Sequence, residues 1–329
     1  HELKMKNPLF YIFLLALLLR TYKLEELPSG FHVDEVKVGW NAYSILKTGK
    51  DDWGKSWQLH YNSFGDFRPT GYFYLTIPSI TLFGLNEFAV RFPSALLGAL
   101  TTIPLFHLVS AITRQKNMSY LSTLLLSLSP WHISLSRATS EGIVAIFFVL
   151  TGIIFLVKAL LKKDRKYYLI ASFTLFLLSY FFYHSARLLV PIFALTVIIY
   201  FWRSSPKINS VKKSSLFVTT LLFGLALIFA SNKEARGRFS QVSIFNDLNV
   251  KKTLDQMPFE EGQNKVFIAR AFHNKVIVYS TRFIDEYTKY FSPDFLISGK
   301  GLPIRYTTVG NGLLTYVEFV FFVLGISVI

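Results

Sequence analysis

Glu141-Gly142-Ile143-Val144-Ala145-Ile146-Phe147-Phe148-Val149-Leu150-Thr151-Gly152-Ile153-Ile154-Phe155-Leu156-Val157 is the stretch that decides the fold. It opens on one carboxylate and carries no further charge until Lys158. A helix crosses a bilayer core with about 17–25 apolar residues. A lipid-facing backbone has no water to bond to, so such a segment must be helical. Comparable runs lie at roughly 8–22, 92–112, 118–135, 141–161, 167–184, 188–202, 215–231 and 313–329. With 52% hydrophobic and 17% aromatic residues, a soluble chain would have to bury several helices that have no polar face. The sequence therefore reads as all-α: a polytopic helical membrane protein with about 8 transmembrane helices in this chain, plus interfacial amphipathic helices in two long external loops.

The net charge of +15 would suggest a nucleic-acid partner on a soluble protein. Here the basic residues fall in short loops and report orientation instead, so no nucleic acid is expected. Arg114 and Lys116 follow the second run. Lys158, Lys162, Lys163, Arg165 and Lys166 follow the fourth, and Arg203, Lys207, Lys212 and Lys213 follow the sixth. Together with Lys4 and Lys6 they place the N-terminus and every basic loop in the cytoplasm. The protein is thus expected in the cytoplasmic (inner) membrane, with its site facing outside. Tyr72 to Leu85, about fourteen residues, would invert this scheme if it crossed, and the charge bias assigns it to the interface. The absence of Cys excludes disulfides and thiolate chemistry.

The run from Pro8 to Leu19 lacks a small-residue cleavage site after it and reads as an uncleaved first span. The chain has no initiator Met and stops inside the apolar run from Val317 to Ile329, so a piece of a longer protein is expected. Residues 1–231 form the expected membrane core, with the first external loop at 23–91. Residues 232–312 form a large external loop of short helices on the membrane surface, and 313–329 begin a further transmembrane helix.

Asp34-Glu35 lies just past the first run, and Asp34 to Lys50 has the pattern of an amphipathic helix. An acidic pair there can take a proton from an acceptor hydroxyl or can cap a surface helix. Trp40, Tyr43, Trp53 and Trp57 suit the headgroup region. The expected topology places His32, His60, His132, His184 and His273 outside, with Arg68, Asp66, Arg137, Glu141 and Arg187 at external ends. Ionisable groups near bilayer depth are costly and tend to line a cavity. Each also has a bland alternative. Arg137 and Glu141, four apart, can pair on one helix face. His184 and Arg187 can snorkel to headgroups, and His60 can be structural. His273, with Arg270 nearby, can be a phosphate contact, a metal ligand or a surface residue. No HExxH, Walker loop or dinucleotide fingerprint is present.

Five segments together resemble the GT-C superfamily of membrane glycosyltransferases, in the branch of the protein O-mannosyltransferases and lipid A aminoarabinose transferases. They are Asp34-Glu35; Phe67-Arg68-Pro69-Thr70-Gly71-Tyr72-Phe73; Phe83 to Ala95 with Glu87-Phe88-Ala89-Val90-Arg91-Phe92-Pro93; Leu128-Ser129-Pro130-Trp131-His132 with Ser136-Arg137 and Glu141; and Tyr183-His184-Ser185-Ala186-Arg187. Residues 20–200 carry the resemblance, and Phe291-Ser292-Pro293-Asp294-Phe295 fits only generally.

The resemblance implies a glycosyltransferase that moves a monosaccharide from a polyprenyl-phosphate donor to an acceptor hydroxyl outside the membrane. Asp34 stands at the position of the base and Glu35 at the second acid. Arg68, Arg137, His184, Arg187 and Lys275 are the expected donor-phosphate contacts. The aminoarabinose transferases have Lys-Pro-Pro where this chain has Arg68-Pro69-Thr70, and a neighbouring Glu where it has Phe67. A divalent metal is therefore an open expectation, with Asp66 and His273 as its possible ligands or supports, and no cofactor is required. The implied partners are the lipid-linked donor, an acceptor protein, lipid or glycan, and membrane lipids. A lipid-linked sugar transporter or flippase, or an oligosaccharide polymerase or ligase of the same fold, is the alternative.

Overall fold

The computed structural model describes residues 7–63, 66–161, 165–204, 209–231, 243–246, 250, 252, 274–302 and 312–328. It is mainly helical. The helices are α1 (Pro8–Thr21), α2 (Val33–Thr48), α3 (Gly71–Phe83), α4 (Glu87–Leu100), α5 (Thr102–Thr113), α6 (Lys116–Leu128), α7 (Pro130–Arg137), α8 (Glu141–Leu161), α9 (Arg165–Phe182), α10 (His184–Ser204) and α11 (Asn209–Ser231). After them come α12 (Lys275–Lys289), α13 (Pro293–Leu296) and α14 (Tyr316–Val328). The antiparallel pair β1 (His60–Ser63) and β2 (Asp66–Pro69), which the all-helical reading does not anticipate, sits between α2 and α3 with Tyr61 opposite Arg68.

The expected segment 141–161 is α8 itself. The second and third expected segments differ, and proline explains both. Residues 87–113 form one 27-residue apolar path in which Thr101, itself helical, separates α4 from α5. Pro104 has no N–H for the Leu100 carbonyl, and its ring crowds that carbonyl. The expected span 118–135 divides into α6 and α7. Ser129 is extended at the break because the residue before Pro130 is pushed out of the helical region.

Arg20 of α1, fully buried, repairs that break. Its guanidinium donates to the carbonyls of Ser127 (3.1 Å) and Leu126 (3.2 Å), the latter left without its helical donor by Pro130. It also bonds His132 Nδ1 at 2.9 Å. His132, expected at an external helix end, is therefore buried in the bundle as part of this repair.

Among the described residues, three helices are long and apolar enough to cross a membrane: Glu87–Thr113, Glu141–Leu161 and His184–Phe201. Four apolar helices are shorter: Pro8–Thr21, Lys166–Phe182, Ser214–Ile228 and Tyr316–Ile326. Amphipathic α2 matches the expected helix, stopped by Gly49 at φ 71. Tyr72 to Leu85 becomes the 13-residue α3, below the length of a span.

Two apolar cores result. Leu156, Val157, Leu160, Phe176, Tyr180, Ile198 and Leu222 join α8 to α11. Val38, Tyr61, Tyr72, Phe73, Ile80, Val90, Val144 and Phe182 lie beneath α2 and the hairpin. Helices α8 and α9 approach closely at Gly152, where an added Cβ would stand 2.7 Å from the buried Phe176 ring. Ser172 Oγ donates to the Gly152 carbonyl at 2.8 Å. We predict that Gly152→Ala lowers stability by about 1–3 kcal/mol through overpacking. Gly142→Ala, whose Cβ would meet only Ser140 Oγ at 3.7 Å, should be tolerated. Thermal unfolding of the two variants in detergent checks the contrast.

Candidate active site

The site starts at the first turn of α2. His32 is the N-cap: its Nδ1 accepts from the Asp34 N–H at 3.2 Å, while Glu35 Oε2 accepts from the His32 N–H at 3.0 Å. This reciprocal capping fixes where the helix begins. It also points two neighbouring carboxylates in different directions.

Glu35 turns inward. Its carboxylate is held in a two-pronged pair by Arg91 of α4, Nε at 3.0 Å and Nη2 at 2.9 Å, and accepts from the Thr139 N–H at 3.3 Å. Arg91 is wholly buried and also donates to the carbonyls of Leu24 (3.0 Å), Pro28 (2.9 Å) and Gly30. One ion pair thus ties α2, α4, the α1–α2 loop and the α7–α8 link together.

Asp34 turns outward to the hairpin. Its Oδ2 lies 2.9 Å from Arg68 Nη1, with about a fifth of each side chain exposed (18% and 23%). One turn further along α2, Lys37 Nζ donates to the Asn62 carbonyl at 2.6 Å and lies 5.6 Å from the centre of the Tyr61 ring. Tyr61 is buried against Phe73. Its phenol is pushed above its ordinary range, first by burial and then by the Glu141 carboxylate.

The far side of the hairpin is tied to α10. His184 Nε2 donates to the Phe67 carbonyl at 2.8 Å, and its Nδ1 accepts from Arg187 Nη1 at 3.1 Å, which fixes the neutral tautomer. Arg187 also donates to the Tyr180 carbonyl (3.3 and 3.2 Å) and to His60 Nε2 at 2.9 Å. His60 and His184 stack at 5.6 Å. Burial, and then Arg187 and His184, hold His60 down at a pKa of about 4.

Of the residues expected from the sequence, Asp34, Arg68, His184 and Arg187 therefore converge on the hairpin, and Glu35 lies beneath it. Arg137 goes elsewhere. It ends α7, so it shares no helix with Glu141, the first residue of α8, and the expected four-apart spacing brings no pairing on one helix face. Its guanidinium donates to the carbonyls of Leu19 (3.0 Å), Lys23 (3.3 Å) and Leu27 (2.9 Å). Burial and the nearby Arg91 lower its pKa. Lys275 opens α12 and is exposed. Asp66 begins β2, and its side chain is outside the described set; His273 lies outside the described residues. Among the described residues, no three His, Asp or Glu side chains gather as a metal ion would require.

Sequence reasoning gave no role to Arg91, Lys37 or Tyr61. Arg91 had a signal, a cation inside an otherwise apolar helix, which implies a buried partner. Lys37 and Tyr61 had none, because their roles depend on a hairpin that the pattern does not announce.

Residues 68–231 match the family model described as dolichyl-phosphate-mannose-protein mannosyltransferase. No curated protein matches the chain. Among solved structures, one similar fold is the archaeal oligosaccharyltransferase AglB from Archaeoglobus fulgidus in complex with an inhibitory peptide and a dolichol-phosphate. The identity is 15% and the TM-score 0.51, covering 88% of this chain and 37% of that one. A second is the Archaeoglobus fulgidus oligosaccharyltransferase in complex with Zn and sulfate, at 14% identity and TM-score 0.45, covering 86% of this chain and 40% of that one. The chain thus spans well under half the length of these structures.

Two predictions follow from the geometry. Arg91→Leu strands the buried Glu35 carboxylate and should cost about 3–5 kcal/mol. The double variant Glu35→Leu/Arg91→Leu should recover part of that loss, as read by thermal unfolding. The second concerns pH. The folded protein keeps His60 neutral down to about pH 4, whereas an unfolded histidine takes its proton near pH 6.5. The unfolded state binds the extra proton in between, so this stabilisation is complete above pH 6.5 and lost as the pH falls through about 4. The unfolding midpoint should fall across that window, and His60→Gln should flatten the slope. Over residues 68–231 this chain is similar to the dolichyl-phosphate-mannose-protein mannosyltransferase family, and its fold is similar to that of the archaeal oligosaccharyltransferase AglB.

Proposed function

We propose that the protein is a polyprenyl-phosphate-sugar-dependent glycosyltransferase, which moves a monosaccharide to an acceptor hydroxyl on the extracytoplasmic side of the cytoplasmic membrane. In this reading the shorter apolar helices α1, α9, α11 and α14 also cross the bilayer. The observation that carries it is Asp34, a partly exposed carboxylate fixed at a helix start and facing the guanidinium of Arg68 at 2.9 Å.

The chemistry needs a base and a cation side by side. The acceptor oxygen attacks the anomeric carbon while the bond from that carbon to the phosphate oxygen breaks. The polyprenyl phosphate leaves with the electron pair, and the acceptor proton passes to Asp34. Proton transfer of this kind contributes about 10²–10⁴ in rate. Arg68 faces the growing charge on the leaving phosphate, and a guanidinium matches phosphate oxygens in two-pronged fashion. Since Arg68 is held by Asp34 beforehand, an arriving phosphate shares that guanidinium and frees Asp34 to receive the proton. The five N–H donors of an arginine allow this sharing.

His184 and Arg187 hold the hairpin from behind, and Glu35 fixes the start of α2. We assign Arg137 to bracing the end of α1 and leave Lys275, Asp66 and His273 as candidates for donor contact or metal support. A second reading, transfer of a lipid-linked oligosaccharide, uses the same fold and the same pair.

The test is sugar transfer in proteoliposomes from a panel of radiolabelled polyprenyl-phosphate sugars and lipid-linked oligosaccharides. Asp34→Asn should lose about two orders of magnitude or more in transfer and still bind the donor. Equal transfer by wild type and Asp34→Asn would remove Asp34 as the base. Movement of intact donor across the bilayer, with no transfer from any member of the panel, would replace the reading with a flippase.

A further inference from the structure

Helices α5 and α8 enclose a cleft of about 130 Å³ at the end of the bundle away from Asp34. Its walls are Ala111 of α5 with Ile154, Val157 and Leu161 of α8, and two basic side chains, His107 and Lys158, complete it. Lys158 is half-buried, with its Nζ 5.2 Å from the centre of the Phe155 ring. His107 is exposed on α5. Neither residue takes part in the candidate active site.

The depth of this cleft follows from helix geometry. The paths through α4–α5 and α8 both start at the candidate site, where Arg91 and the Thr139 N–H bond Glu35, and both run away from it. At about 1.5 Å per residue, His107 stands roughly 24 Å beyond Arg91, and Lys158 roughly 28 Å beyond Thr139. A hydrocarbon core is about 30 Å thick. Glu87–Thr113 and Glu141–Leu161 are both long and apolar enough to cross it, so the cleft opens near the far headgroup layer. The chain supplies no carboxylate there. Between residues 88 and 163 it has one, Glu141, at the other end of α8. Asp164, outside the described residues, stands in the sequence among Lys162, Lys163, Arg165 and Lys166. Among the described residues no carboxylate pairs with Lys158. A half-buried ammonium at that depth is costly without a partner.

We propose that this cleft is a binding site for one anionic glycerophospholipid. The lipid phosphate sits between Lys158 Nζ and the His107 ring, and one acyl chain lies along Ala111, Ile154, Val157 and Leu161. The ammonium is a compact charge for phosphate, and an imidazole offers an N–H donor in either protonation state. Basic pockets between membrane helices take lipid headgroups in this way. The adjoining run of Lys and Arg, with Asp164 as its one acid, favours a headgroup of net negative charge over a zwitterionic one. In the orientation proposed above, this lipid belongs to the cytoplasmic leaflet. The site is remote from Asp34, so it stands or falls independently of the transfer reaction.

The test is lipid selectivity. The full chain, reconstituted in phosphatidylcholine bilayers, would receive a trace of spin-labelled phosphatidylglycerol or spin-labelled phosphatidylcholine, and the motionally restricted fraction of each would be measured. Wild type should prefer phosphatidylglycerol, and Lys158→Gln should lower that preference about five-fold. Ala111→Leu, which fills the cleft and leaves the charge unchanged, should lower it as well, and Lys158→Arg should keep it. Lys166→Gln removes an exposed cation outside the cleft and should leave the preference as it is. No preference in wild type would overturn the proposal. So would a preference that falls equally in Lys166→Gln and survives Ala111→Leu, which is diffuse attraction to a basic surface. The chain contains no Cys, so Ala111→Cys gives a cross-link without background. A cross-link between two copies at that position, with no lipid preference, would seat a second chain on the cleft and overturn it equally.

Discussion

The buried pair between Glu35 and Arg91 is the constraint on which the rest of the site depends. A carboxylate and a guanidinium removed from water are costly unless every donor and acceptor is used. Here Arg91 spends its donors on Glu35 and on three carbonyls of the α1–α2 loop. Glu35 closes its remaining sites on the His32 and Thr139 amides. A shift of α2 along its axis would break several of these bonds together. The position of Asp34, one residue before, is therefore set by an interaction in which Asp34 takes no part.

The hairpin supplies the other half of the geometry. It has only four residues in each strand, and it bridges two elements distant in sequence. Asp34 and Lys37 hold it to α2, and His184 and Arg187 hold it to α10. Arg68 is thereby presented to Asp34 from a strand whose far edge is fixed by a neutral His184. Two groups separated by 34 positions in the chain become neighbours at 2.9 Å through packing on both sides.

Much of this was legible in the residues alone. Segment 141–161 has no other physical solution than a long apolar helix, and α8 has those bounds. Asp34 and Arg68 stood out because charge next to apolar runs needs a reason. The double nature of the acidic pair was legible only as two readings, catalysis or capping. The structure divides them: Glu35 is the capping and buried partner, and Asp34 faces the hairpin. The breaks at Thr101 and Ser129 were announced by Pro104 and Pro130, but a long apolar run masks them when hydropathy alone is followed. The hairpin was not legible, because strands this short have no periodicity to detect. The partners of Arg20, Arg91 and Arg137 depend on which carbonyls a helix break leaves unbonded. That is a property of three-dimensional packing, and local pattern does not contain it.

The division of labour between the two acids is the central claim, and the stability of two amide variants tests it most directly. Thermal unfolding would be measured on Asp34→Asn and Glu35→Gln in the same detergent at neutral pH. The account predicts that Glu35→Gln, which leaves Arg91 charged and buried without its partner, lowers the midpoint by many degrees. Asp34→Asn, at a partly exposed pair, should leave it close to wild type. A large loss in Asp34→Asn with little change in Glu35→Gln would contradict the account.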